Sequence, residues 1–109
     1  MHSIAKHFLA KKLKVLSAEY PNIHIRCEFY ELINTYLIKI TPQDQYYNNK
    51  NLDNSWIKIS EEFMDKFPNE MTSFITNDSL YLTVKNPELI ISSGEIIMDN
   101  FSTDSLNLN

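Results

Sequence analysis

Four residues with usable chemistry recur at every second position: His24, Arg26, Glu28 and Tyr30. Their partners in the alternation, Ile23, Ile25, Cys27 and Phe29, are apolar or weakly polar. Strict period-2 alternation is the pattern of a half-buried strand, with successive side chains on opposite faces. An imidazole, a guanidinium, a carboxylate and a phenol on one face have the groups for acid/base work or for holding an anion. Lys39 and Thr41 of the next strand would lie beside them. A solvated sheet face carries the same mixture of polar types, and this plainer reading outweighs the catalytic one.

A second group is aromatic. Tyr46 and Tyr47 sit in an Asn- and Gln-rich stretch, with Trp56 shortly after it. Aromatic residues on polar loops are common anchors in protein interfaces. A third group is basic: Lys6, His7, Lys11 and Lys14 share an arc of the N-terminal segment. Such an arc could meet nucleic-acid phosphates or an acidic lipid surface. The remainder of the chain argues against it. Residues 1–18 hold four lysines and no acid, whereas residues 19–109 hold six basic residues against fourteen acidic ones. That field would repel a polyanion.

Other chemistry is poorly supplied. A single glycine, Gly94, excludes a glycine-rich phosphate loop or dinucleotide fingerprint. A single cysteine, Cys27, excludes an internal disulfide and favours a reducing compartment. On the apolar side of its strand, Cys27 reads as a small buried hydrophobe. His2 and His7 are five apart and do not form an i, i+4 metal pair. Glu61, Glu62 and Asp65 are acidic neighbours with no second contributor of ligands. No cofactor or metal is expected. No secretory pattern is visible at the N-terminus, and no apolar run approaches the roughly 20 residues that span a bilayer. The expected location is cytoplasmic, with no membrane contact.

The elements that must position these residues can be read from pattern. Residues 2–20 have helical periodicity, with Ile4, Phe8 and Val15 together and Ala5, Leu9, Leu13 and Leu16 beside them. Pro21 ends that helix. If Glu31-Leu32-Ile33-Asn34 is a four-residue hairpin loop, Phe29 faces Tyr36, Cys27 faces Ile38 and Ile25 faces Ile40. A slip of one residue would destroy this match. Leu37 falls on the outer face and hints at cover there. Pro42–Asn54 reads as a polar loop, Trp56–Ile59 as a short strand, and Ser60 as the N-cap of a short helix ending before Pro68. Met71–Thr76 and Leu80–Val84 read as a strand and its return partner around Asn77-Asp78-Ser79. Leu89–Ile91 and Glu95–Met98 form a last hairpin around Ser92-Ser93-Gly94.

The fold expected is α+β, with an N-terminal helix and a short central helix on one face of a largely antiparallel sheet. Residues 1–98 form a single domain, and residues 99–109 a polar tail. For function, the expectation is a small non-catalytic protein-binding or regulatory module, one version of which neutralises a basic partner. The partner surface would draw on His24, Arg26, Glu28, Tyr30, Tyr46, Tyr47 and Trp56. One alternative is an enzyme or small-ligand binder that uses the outer sheet face and requires a concave pocket there. The other is nucleic-acid contact through the N-terminal helix, which the acidic remainder disfavours. A second copy of the chain could also cover an open sheet edge.

Overall fold

The computed structural model describes residues 3–42, 48–75 and 83–101. Strand β1 (His24–Tyr30) and strand β2 (Thr35–Thr41) pair antiparallel. The register sets Phe29 against Tyr36, Cys27 against Ile38 and Ile25 against Ile40, as the alternation requires. A single 3-10 turn, Glu31–Ile33, joins them, and Asn34 takes the left-handed conformation at its end.

Helix α1 (Ser3–Glu19) covers the inner face of this hairpin with Ala5, Leu9, Leu13 and Leu16. Ile4 and Val15 are exposed. The buried stripe is therefore rotated away from the Ile4–Phe8–Val15 arc. Phe8 is half-buried and rests against Phe63 and Phe67.

Helix α2 (Lys50–Lys66) overturns the expected loop, strand and short helix. Leu52, Trp56, Ile59 and Phe63 follow i, i+4, i+7, i+11 spacing, so one amphipathic helix carries them all. Leu52, Ile59 and Phe63 are buried, and Trp56 packs against the core. Asn49, not Ser60, is the N-cap: its side chain accepts from the Leu52 amide at 3.1 Å. Asp53 in the first turn and Lys66 in the last suit the helix dipole. Ser60 lies mid-helix, with its Oγ 3.0 Å from Thr72 Oγ1 on the neighbouring strand.

Strand β3 (Met71–Ile75) pairs parallel with β2, Thr35 against Met71 and Lys39 against Ile75. Strands β4 (Leu89–Ser92) and β5 (Glu95–Asp99) form the expected terminal hairpin, and β4 pairs antiparallel with β1. The sheet order is β3-β2-β1-β4-β5. The domain is α+β as expected, but its sheet is mixed. The parallel pair arises because α2 carries the chain back across the inner face before β3 begins. Residues 80–82 of the expected return strand lie outside the described residues, and Thr83 and Val84 are not in a strand.

The inner core joins both helices to β1, β2 and β4. Tyr36 stands at its centre, in tilted or edge-on contact with Phe29, Phe63 and Phe101 at 4.6–5.9 Å between rings. Such ring pairs add stability beyond their buried area. Phe101 is fully buried and Asp99 belongs to β5. Residues 102–109 lie outside the described residues.

The β4–β5 turn is held tightly. Ser93 and Gly94 have φ of 50° and 77°, as a type I′ hairpin turn requires. The Gly94 amide donates to the buried Ser17 hydroxyl at 2.9 Å, and the Ser93 hydroxyl donates to the Pro21 carbonyl at 3.0 Å. A Cβ on Gly94 would lie 3.0 Å from the Ala18 Cβ.

Two stability outcomes follow for urea unfolding. Gly94→Ala should cost roughly 1–3 kcal/mol, from backbone strain together with the Ala18 contact. Asn49→Ala should cost about 1 kcal/mol by uncapping α2.

Candidate functional site

The face opposite the helices is divided. On the β2–β3 side, Thr35, Leu37 and Ile75 are buried, with Leu37 only 2% exposed. The cover hinted at by Leu37 is therefore present. On the β1–β4 side, His24 and Arg26 are exposed.

The four polar residues of β1 occupy one face but do not converge. Alternate residues of a strand are separated by about 6.6 Å of rise, and each side chain here has its own surroundings. His24 Nδ1 lies 2.6 Å from Ser92 Oγ, its directly paired neighbour on β4. Arg26 lies exposed, in register between Lys39 and Ile90. Glu28 Oε1 accepts from the Lys85 and Asn86 amides at 2.9 and 3.1 Å, which anchors the segment leading into β4. Tyr30 stands at the rim.

The His24–Ser92 contact deserves a chemical test, because a serine beside a histidine can be a nucleophile and its base. The register already accounts for the contact, as the two residues face each other across β1 and β4. Glu95 faces Ser92 rather than His24, so the carboxylate is not placed to orient the imidazole as a triad requires. The arrangement acts as a cross-strand hydrogen bond at an exposed site.

Tyr46 and Tyr47 lie outside the described residues. Trp56 is not on a loop. It is half-buried on α2, donates from Nε1 to Asp53 Oδ1 at 3.1 Å, and stacks on Phe74 with 4.6 Å between rings. The basic arc of α1 is incomplete at the surface. Lys6 is 5% exposed, with its ammonium 5.3 and 5.8 Å from the Phe101 and Phe29 ring centres. Lysine stems pack well on apolar surface, and aromatic faces attract the cation. His7, Lys11 and Lys14 remain exposed.

A cleft of about 260 Å³ lies between α1 and α2, lined by Lys12, Val15, Leu16, Glu19, Ser55, Lys58, Ile59 and Glu62. Lys12 and Glu62 bridge it at 3.1 Å. Its two lysines and two glutamates balance, so it has no net charge with which to select a ligand. Among the described residues no group of three or more His, Cys, Asp or Glu could hold a metal ion, and no helix is long and apolar enough to cross a membrane.

Sequence reasoning named Tyr30 but overlooked the apolar residues that surround it at the β1–β2 tip. Leu32 is 84% exposed, Met71 53%, Ile33 47% and Tyr30 37%. Tyr30, Thr35 and Met71 form one cross-strand row, and Leu32 and Ile33 project from the turn above it. The tip is firmly held. The Met71 amide donates to the Asn34 carbonyl at 3.1 Å, the Asn34 side chain donates to the Asn69 carbonyl, and the Thr35 hydroxyl donates to the Ile33 carbonyl at 2.9 Å. Two consecutive branched apolar residues in a hairpin turn were the available signal, since turns are ordinarily polar.

Cys27 is fully buried, and its thiol is pushed well above its usual 9.0 by burial first, then by Glu88 and Glu28. Burial also raises Tyr36 above its usual 10.0, helped by the hydrogen bond it donates to Glu70 at 2.8 Å. In both cases the fold favours the neutral form. The stability this gives is complete below the unfolded value and is lost as pH rises above it. An alkaline unfolding series should therefore decline from about pH 9, and Cys27→Val should move the onset upward toward the tyrosine range. Native Cys27 should resist thiol reagents until the protein is unfolded.

No family model matches the chain, and no solved structure matches it. Among curated proteins it is similar to the protein translocase subunit SecA of Bartonella bacilliformis, at 29% identity over 97 residues, taking in 71% of this chain. The match takes in 10% of that protein, so the chain corresponds to a small part of this relative's length.

Proposed function

We propose that this chain is a non-catalytic module that works by binding another protein, with the β1–β2 tip as its contact surface. The observation that carries this reading is the exposure of Tyr30, Leu32, Ile33 and Met71 at one corner of the sheet. Clustered exposed apolar side chains are characteristic of protein-binding surfaces. The hydrogen bonds of Asn34 and Thr35 hold the turn in place before any partner arrives. Such preorganisation lowers the entropy lost on binding.

Charge suggests the partner's character. The chain has a formal net charge of −4, and Glu31 is exposed within the turn itself. An acidic surface accelerates encounter with a basic partner, which fits neutralisation of a basic protein. The likeness to a segment of a translocase subunit supports the binding reading only in general terms, since that relative is named as one component of an assembly.

The test uses a photo-crosslinking side chain at position 32, with exposed position 14 of α1 as the control. Position 32 should yield a discrete crosslinked partner in gentle salt, and position 14 should not. Unlabelled wild-type chain should compete with this product, whereas Leu32→Ser/Ile33→Ser should not. The double variant should change stability by no more than about 0.5 kcal/mol, because both positions are at the surface. Recovery of the uncrosslinked monomer alone would refute the proposal.

A further inference from the structure

We propose that the cleft between α1 and α2 binds a free α-amino acid with a branched apolar side chain, such as leucine. Two contacts join the helices and mark the ends of the cleft. Lys12 Nζ lies 3.1 Å from Glu62 Oε2 at one end, and the Tyr20 hydroxyl lies 3.4 Å from Ser55 Oγ at the other. Counted along the chain, these contacts are roughly 10–12 Å apart at about 1.5 Å of rise per residue. The space is about 260 Å³, below the roughly 300–1,000 Å³ of pockets for drug-sized molecules. Its occupant is therefore small.

The lining sets the chemistry of that occupant. Leu16 and Ile59 are buried and give the cleft an apolar floor, to which the half-exposed Val15 adds. Glu19 and Lys58 line it from opposite helices, Glu19 next to Tyr20 and Lys58 one turn from Ser55. Neither makes an ion pair among the described residues. Lys12, by contrast, is engaged by Glu62 and by the Phe8 ring, whose centre is 5.6 Å from its ammonium. Ser55 donates its hydroxyl hydrogen to the Asn51 carbonyl at 3.0 Å, which leaves its oxygen as an acceptor. One carboxylate, one ammonium and one hydroxyl acceptor thus border an apolar floor.

An amino acid matches this set group by group. Its ammonium donates to Glu19 and Ser55, its carboxylate accepts from Lys58, and its side chain runs over Leu16 and Ile59 toward the Lys12–Glu62 bridge. Hydrogen bonds with ionised partners are the stronger kind. A simple anion or cation is less well served, because the cleft offers it a charge of its own sign as well as the opposite one. Zero net charge therefore favours a ligand that is neutral overall and carries both signs. The cleft lies in the helical layer and shares no residue with the β1–β2 tip, so either site can fail its test without deciding the other.

The experiment titrates the isotope-labelled full chain with leucine and follows amide shifts by NMR. Saturable shifts should centre on Val15, Leu16, Glu19, Ser55 and Ile59. Isocaproate, which lacks the ammonium, and isoamylamine, which lacks the carboxylate, should each bind at least roughly tenfold more weakly. Alanine should also lose about tenfold, because most of the buried side chain is gone. Glu19→Gln and Lys58→Met should each reduce leucine affinity several-fold, whereas Lys14→Met, outside the cleft, should leave it unchanged. All three positions are exposed, so the circular dichroism spectra should match that of the wild type. No saturable shift at millimolar leucine, shifts centred elsewhere, equal binding of either analogue, or unchanged affinity in both cleft variants would overturn the proposal.

Discussion

Phe29 meets Tyr36, Cys27 meets Ile38 and Ile25 meets Ile40, and the rest of the molecule depends on that register. Each pair places two apolar side chains on the inner face, where both helices pack. Slipping β1 by one residue would send its apolar set outward and bring Arg26 and Glu28 into the core. Uncompensated charges there would cost far more than the lost packing. The same alternation puts His24 and Glu28 on the outer face, where the β1–β4 pairing sets His24 beside Ser92 and Glu28 receives the Lys85 and Asn86 amides.

Local patterns made part of this architecture legible. The β1–β2 hairpin follows from alternation and loop length. The β4–β5 hairpin follows from Ser93-Gly94, whose positive φ values only a few residues accept readily. α2 was hidden for a physical reason. Its apolar positions are widely spaced within polar sequence, and Trp56-Ile57-Lys58-Ile59 read alone resembles a strand. Only the longer series from Leu52 to Phe63 reveals the helical period. The parallel pairing of β3 was also hidden, because short apolar runs do not encode the direction of their partners.

The candidate surfaces show the same division. Alternation placed His24, Arg26, Glu28 and Tyr30 on one face, but could not show that Glu28 serves backbone amides. Periodicity places Lys6 on the basic arc of α1, yet its ammonium lies close to two phenylalanine rings. Helical angle alone cannot distinguish a lysine that reaches water from one packed against aromatic rings distant in sequence, such as Phe101. Leu32 and Ile33 stand in the sequence as apolar residues of a turn, but turn length fixes only chain direction and not the exposure of their side chains.

The parallel contact between β2 and β3 also bears on the order of assembly. β1 and β2 are joined by one short turn, so their pairing closes a small loop. β3 can meet β2 only after the intervening chain, including all of α2, has been spanned. Closing that longer loop costs roughly 2 kcal/mol more in chain entropy. Non-local pairings of this kind slow folding. The hairpin is thus the natural nucleus, and β3 is a late addition whose docking depends on α2 already lying across the sheet. Until then β2 has an open edge, so a nascent chain is exposed to mispairing on the side that the finished fold protects.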